Sequence, residues 1–260
     1  MDFLYLDLSD ESERRYYGRR QPGILADTVK NRNAGIYDYF RSRSCLRAFG
    51  NGAVPWNPEP MVARYEDPRV GYFIERYVDF DKNPQGVESV KMISRWRLEP
   101  KPEDIEKYKR GELVEPAKPI VFYIDPATPK QWVPYLIAGV NDWQPVFEKA
   151  GFKNAIYALE APTFEQDSTW SLDDARHSAI VYKPSDVANA MGPHISDPRS
   201  GEIIESHICW YHNVMSLLRN WYFIQASPAD TAARHLTFDP ELMGQLVRFV
   251  SSHEVGHTLG

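Results

Sequence analysis

Apolar residues change their spacing twice along this chain. Up to about residue 58 they are sparse and weakly periodic among Arg, Tyr and Asp, and "RRQPGILADTVKNRNAG" reads as turns and irregular structure. "NGAVPWNPEP" (Asn51 to Pro60) is a Pro-, Gly- and Asn-rich connector. From 71 to 98 the period is two. "GYFIERYVDF" is rich in aromatic and β-branched residues, and "SVKMISRWRL" puts Val90, Met92, Trp96 and Leu98 on one face. "DKNPQG" between them is turn chemistry, so the pattern predicts a β-hairpin. Residues 99–119 are charged and punctuated by proline, which predicts a linker or a solvent-exposed crossing.

Beyond 119 the pattern changes again. "IVFYI" (Ile120 to Ile124) is a short apolar run of buried-strand type. Trp132, Leu136, Val140, Trp143 and Phe147 then recur at helical spacing. Pro134 suits a first turn, Pro145 predicts a kink, and Gly151 a stop. "NAIYAL" (Asn154 to Leu159) and "SAIVY" (Ser178 to Tyr182) are further strands, and "DPRSGE" is a turn between two extended pieces. A helix is predicted from about Trp210 to Gln225, with Val214, Leu217, Leu218 and Trp221 as its apolar stripe. A last helix opens at Asp239, a good N-cap, with Pro240 in the first helical position and Glu241 favouring the positive end of the dipole. The fold class expected is α+β: a mixed twisted sheet with a backing helix and a C-terminal helix (118–260), preceded by a β-rich N-terminal region (1–117) with its hairpin at about 71–98.

Composition supports a sizeable core: the 260 residues are 43% hydrophobic and include 7 Trp and 15 Tyr. The net charge of −6 carries no basic stripe, so nucleic acid is not an expected partner. Arg14, Arg15, Arg19 and Arg20 read as a solvated surface. Two cysteines, Cys45 and Cys209, make no disulfide framework and say nothing of compartment. No apolar run is long enough to predict a membrane span, and "MDFLYLDLSD" lacks the basic and apolar regions of a signal peptide.

The candidate chemistry lies in "SSHEVGHTLG" (Ser251 to Gly260). On a helical wheel Leu246, Phe249, Val250, His253 and His257 fall within about 100° of one another. That spacing predicts a shared face packed against the domain, with two imidazoles one turn apart and able to reach one ion. Glu254 lies about 60° from His257, too displaced for a ligand but near enough to take a proton from a metal-bound water. This is the logic of H-E-x-x-H, in which two neutral nitrogens hold Zn²⁺ and the carboxylate is the general base. Chance occurrence in a chain of this length has odds on the order of one in a hundred. Gly260 permits the positive φ with which a chain leaves a helix. In the pattern H-E-x-x-H-x-x-G-x-x-H a third histidine follows that glycine, and here it would fall at position 263.

"HEVGHTLG", together with "DPRVGYFIERYVDF", "NPQGVES", "RWRLEP", "KPIVFYID", "FEKAGFKNAI", "DDARHSAIVY" and "DPRSGEI", resembles the large secreted metzincin-type zinc metalloproteases common in Bacteroidetes, from about Arg64 to the end and truncated after H-E-x-x-H-x-x-G. The resemblance implies the upper half of a metzincin-like catalytic domain, His253 and His257 as zinc ligands, Glu254 as the base, a peptide or protein substrate, and a periplasmic or extracellular parent protein. It also implies that an extended substrate pairs with a sheet edge, for which Glu205 to Tyr211 is the candidate by order along the chain, against an ordinary internal strand. The leading expectation is a zinc endopeptidase. The alternative is a catalytically incomplete fragment that binds zinc weakly and peptides at most. A distant glutamate as third ligand is a further reading, opposed by Gly260. His194, His207 and His212 have no spacing that marks them as ligands, His177 reads as a structural histidine beside a strand, and Cys45 reads as structural rather than as a zinc thiolate.

Overall fold

A computed structural model describes residues 57–172 and 174–260. The expectations placed on residues 1–56, including the arginine cluster and Cys45, lie outside the described residues. The period-two segments form the hairpin: β1 (Ile74–Asp79) and β2 (Glu88–Ile93) pair antiparallel, from Ile74↔Ile93 to Asp79↔Glu88. Val90 and Met92 are buried, and the same side of the chain continues past β2 with Trp96 and Leu98 packed against the main core. The charged crossing holds a short helix, α1 (Ile105–Lys109), that apolar spacing did not reveal. It forms because Pro102 starts a 3-10 turn and the pairs Asp104–Lys107 (2.7 Å) and Glu106–Lys109 (2.8 Å) sit three residues apart.

The remaining elements follow in chain order. They are β3 (Ile120–Ile124), α2 (Val133–Asn141), α3 (Gln144–Lys149), β4 (Ile156–Glu160), β5 (Ser178–Lys183), β6 (Ala190–Met191), β7 (Ile195–Asp197), β8 (Glu202–Glu205), β9 (His207–Tyr211), α4 (Val214–Ala226) and α5 (Pro240–His257). The expected helix over 132–147 is broken between Asn141 and Gln144, and Pro145 sits in the first turn of α3, where its missing N–H costs nothing. The main sheet has the order β4-β3-β5-β9-β6. Its first four strands are parallel and β6 pairs antiparallel with β9. β7 and β8 form a separate hairpin around the "DPRSGE" turn. The architecture is α+β, as composition and spacing predict.

One expectation is corrected. Trp210 belongs to β9, and the helix starts only at Val214. Ile208, Cys209 and Trp210 are all buried, because a strand inside a parallel sheet is covered on both faces and reads as a continuous apolar run rather than an alternating one. Of the two readings of the segment 205–211, the internal strand holds: β9 lies between β5 and β6, and β6 takes the edge.

α5 and α2 pack together beside the sheet, α2 against β3 and β4, α5 against β6. The two helices approach closely at Gly139, where a Cβ would lie 2.5 Å from the Ser251 Cβ and 2.6 Å from the Arg248 carbonyl oxygen. Ser251 Oγ donates to the Leu136 carbonyl at 2.9 Å, Trp143 Nε1 to the Ser252 carbonyl at 2.8 Å, and Arg248 Nε to Asp142 at 2.8 Å. Phe122, Val140, Ile180, Ile208 and Val247, all fully buried, form the centre of the core between this helix pair and the sheet.

One buried ionisable pair sits at the start of β9. His207 Nε2 is 2.9 Å from Glu205 Oε1 and 3.2 Å from the His177 carbonyl oxygen. Burial, the largest influence, disfavours the charged ring, and Lys183 adds to that. The Glu205 carboxylate and the His177 carbonyl together outweigh both, so the His207 pKa lies above the ordinary histidine value.

Gly139→Ala should destabilise the protein by about 1–3 kcal/mol in urea unfolding, despite alanine's better helix propensity, because neither helix backbone can yield the space. The His207 pair has its own signature. A histidine whose pKa is raised on folding contributes fully below the unfolded value, and the contribution is lost as pH rises through the folded pKa. The melting temperature should therefore drop as pH is raised from about 6.5. His207→Gln should be less stable below about pH 6.5 and lack that part of the drop.

Candidate metal centre

The helix that carries H-E-x-x-H begins as its sequence dictates. Asp239 has an extended backbone and its side chain accepts from the Leu242 N–H at 2.8 Å, with Pro240 in the first turn. The helix then runs unbroken to His257, so His253 and His257 are one turn apart. Their Nε2 atoms converge to 3.0 Å, with ring centroids 4.6 Å apart and planes at 85°. Two nitrogens bound to a tetrahedral zinc at 2.0–2.1 Å lie about 3.3 Å apart, so this pair fits the ion with little adjustment. The donor set is also right, since both atoms can serve as neutral imidazole ligands.

The two rings do not face the core as the wheel predicted. Both histidines are exposed, and the buried side of α5 is formed by Gly244, Val247, Val250, Ser251, Glu254 and Val255. Hydropathy weighs Leu246 and Phe249 as core, yet Phe249 is 66% exposed. Gly244 and Ser251 carry little hydropathy but allow the helix to settle against α2, and that contact sets the roll of the helix. The histidines are thereby turned outward by roughly a third of a turn.

Glu254 ends on the opposite footing. It is only 7% exposed, on the core side of the helix. Burial raises its pKa, while His257, His253 and a hydrogen bond from the Gly192 N–H pull it back down. Gly192 directly follows the edge strand β6, so that strand and the carboxylate adjoin.

The exit from the helix is held from outside it. Thr258 is fully buried, and its carbonyl accepts from Trp96 Nε1 at 2.8 Å. Gly260 has φ +107, the left-handed region the sequence anticipates. A Cβ on it would also lie 2.0 Å from the Ser94 carbonyl oxygen, a close approach that no sequence pattern signals. Phe73, just before β1, has its ring centroid 6.0 Å from that of His257 and 5.8 Å from that of His194. Nothing in residues 71–98 distinguishes this aromatic from the others of the hairpin, so sequence reasoning missed it.

The other histidines lie elsewhere. His207 is buried beside Glu205, His212 Nδ1 contacts the Tyr182 hydroxyl, and His177 stacks on Trp170 and edge-on to Tyr123. His194 packs edge-on against Phe73, with ring centroids 5.8 Å apart. Among the described residues, no group of three or more His, Cys, Asp or Glu side chains is placed to hold one metal ion. No helix among them is long and apolar enough to cross a membrane.

Two family models match parts of the chain. Residues 235–260 match the family model described as Met-zincin (DUF4953), and residues 56–101 match that of a domain of unknown function (DUF5117). No curated protein and no solved structure matches the chain. The likeness over α5 is to the metzincin-like superfamily, a lineage of hydrolases.

Proposed function

We propose that residues 118–260 are the upper half of a metzincin-like zinc peptidase domain, and that by themselves they form a weak, catalytically incomplete zinc site. The observation that carries this is the 3.0 Å convergence of the His253 and His257 Nε2 atoms on an unbroken helix. Two imidazoles would hold the ion. Catalytic zinc sites draw three protein ligands, and no third candidate lies beside this pair among the described residues. In the metzincin pattern the third histidine follows the glycine that here is Gly260.

Bound zinc would supply Lewis acidity, both to a peptide carbonyl and to water. The residues present divide the remaining work. Glu254 would be the general base: it directly follows the first imidazole of H-E-x-x-H and would accept a proton from water and pass it to a leaving amine. A hydrogen bond from the Gly192 N–H favours the charged form of Glu254. An extended peptide would add to β6, whose outer side pairs with no strand among the described residues and whose Met191 is 44% exposed.

Zinc titration tests the reading. One Zn²⁺ should bind weakly and be removed by a mild chelator. His253→Ala or His257→Ala should lower the affinity by more than about tenfold, and Glu254→Gln should leave the ion bound. No cleavage of a mixed peptide substrate is expected. Cleavage that disappears in Glu254→Gln would mean that the site is complete. Zinc binding unchanged in His257→Ala would remove the assignment altogether.

A further inference from the structure

We propose that the region 56–101, which matches a domain of unknown function, is a working part of the metal centre, with Phe73 the residue that positions the His257 imidazole. The proposal rests on the zinc reading of His253 and His257 and deepens it.

Three attachments tie the hairpin region to the end of α5 and its surroundings. The Trp96 indole N–H donates to the Thr258 carbonyl at 2.8 Å. Gly260 lies flat against the Ser94 carbonyl, with no room for a Cβ. Arg95 pairs with the β8 segment through its N–H to the Gly201 carbonyl (2.9 Å) and its carbonyl to the Ile203 N–H (2.8 Å). The strand leaving the hairpin is thus joined to the residues just past α5.

Phe73 is held to this same strap, since its carbonyl accepts from the Ser94 N–H at 2.8 Å. Its ring packs against both His257 and His194. An exposed histidine near a helix end would otherwise sample several ring rotations about χ2. An aromatic ring at 6.0 Å, tilted at 59°, leaves room for only some of them. The orientation retained is the one in which His257 Nε2 meets His253 Nε2. Phe73 therefore reduces what a bound cation must order. The ring is 48% exposed, so it is reachable from solvent while it contacts His257.

The test is zinc affinity by competition with a chromogenic chelator, on the whole chain, with the imidazole NMR signals of the metal-free protein as second readout. Phe73→Ala should weaken zinc binding by about tenfold, the scale of losing a residue that orients a ligand. It should broaden or shift the His257 ring signals and barely move the melting temperature. Phe73→Tyr, which keeps the ring, should restore the affinity. Phe80→Ala, half-exposed at the far end of β1, should change neither readout. Affinity within twofold of the parent in Phe73→Ala overturns the proposal if His257→Ala still abolishes binding. If His257→Ala leaves binding intact, the zinc reading itself has failed, and Phe73 with it. Should Phe73→Ala fail to fold, Phe73→Leu decides: parental affinity there, without a ring, overturns the proposal.

Discussion

The roll of α5 about its own axis governs everything at the candidate site. A helix presents a different set of side chains for every 100° of rotation, so a modest change in roll would bury the imidazoles or expose Glu254. The contact that sets it is the close approach of α5 to α2 at Gly139 and Ser251, locked by the Ser251 hydroxyl on the Leu136 carbonyl. Around it, Trp143 and Asp142 grip the Ser252 carbonyl and Arg248 from the α2–α3 side. Few atoms intervene between the helices, so there is little slack for the roll to drift.

Seated that way, one short motif meets two environments. The imidazoles stand at the surface, where a cation can reach them, and the carboxylate between them in sequence is buried on the core side of the helix. Burial lifts the proton affinity of Glu254 while the Gly192 N–H and the two histidines restrain it. A carboxylate so placed is poorly suited to be a third ligand on the imidazole pair and well suited to exchange protons beside it, which is the division of roles proposed here.

The N-terminal hairpin is more than an appendage. Trp96, Ser94 and Phe73 reach the last turn of α5 from sequence positions some 160 or more residues away, as the Trp96–Thr258 bond illustrates. Residues 56–101 and 235–260 match two separate family models, yet they meet in space at the imidazole pair. A boundary drawn by sequence similarity and a boundary drawn by contacts need not coincide.

Much was legible in the chain itself. Local period and turn chemistry identified the hairpin, the strands β3, β4 and β5, the break at Pro145 and the capped start of α5, because each depends on neighbours in sequence. The motif placed His253 and His257 one turn apart for the same reason. What tertiary structure alone decided was orientation and company. Hydropathy assigned the histidine face of α5 to the core, but close packing by glycine and serine, which carry almost no hydropathy, turned that face outward. Chain order leaves Glu205 to Tyr211 open between a sheet edge and an internal strand, and the sheet makes it internal; Trp210, expected to begin a helix, lies in that strand, since interior strands lose the alternation that marks them. The neighbours of His257 and Gly260 come from chain far away in sequence, and no local pattern encodes a contact whose two halves are separated by most of the protein.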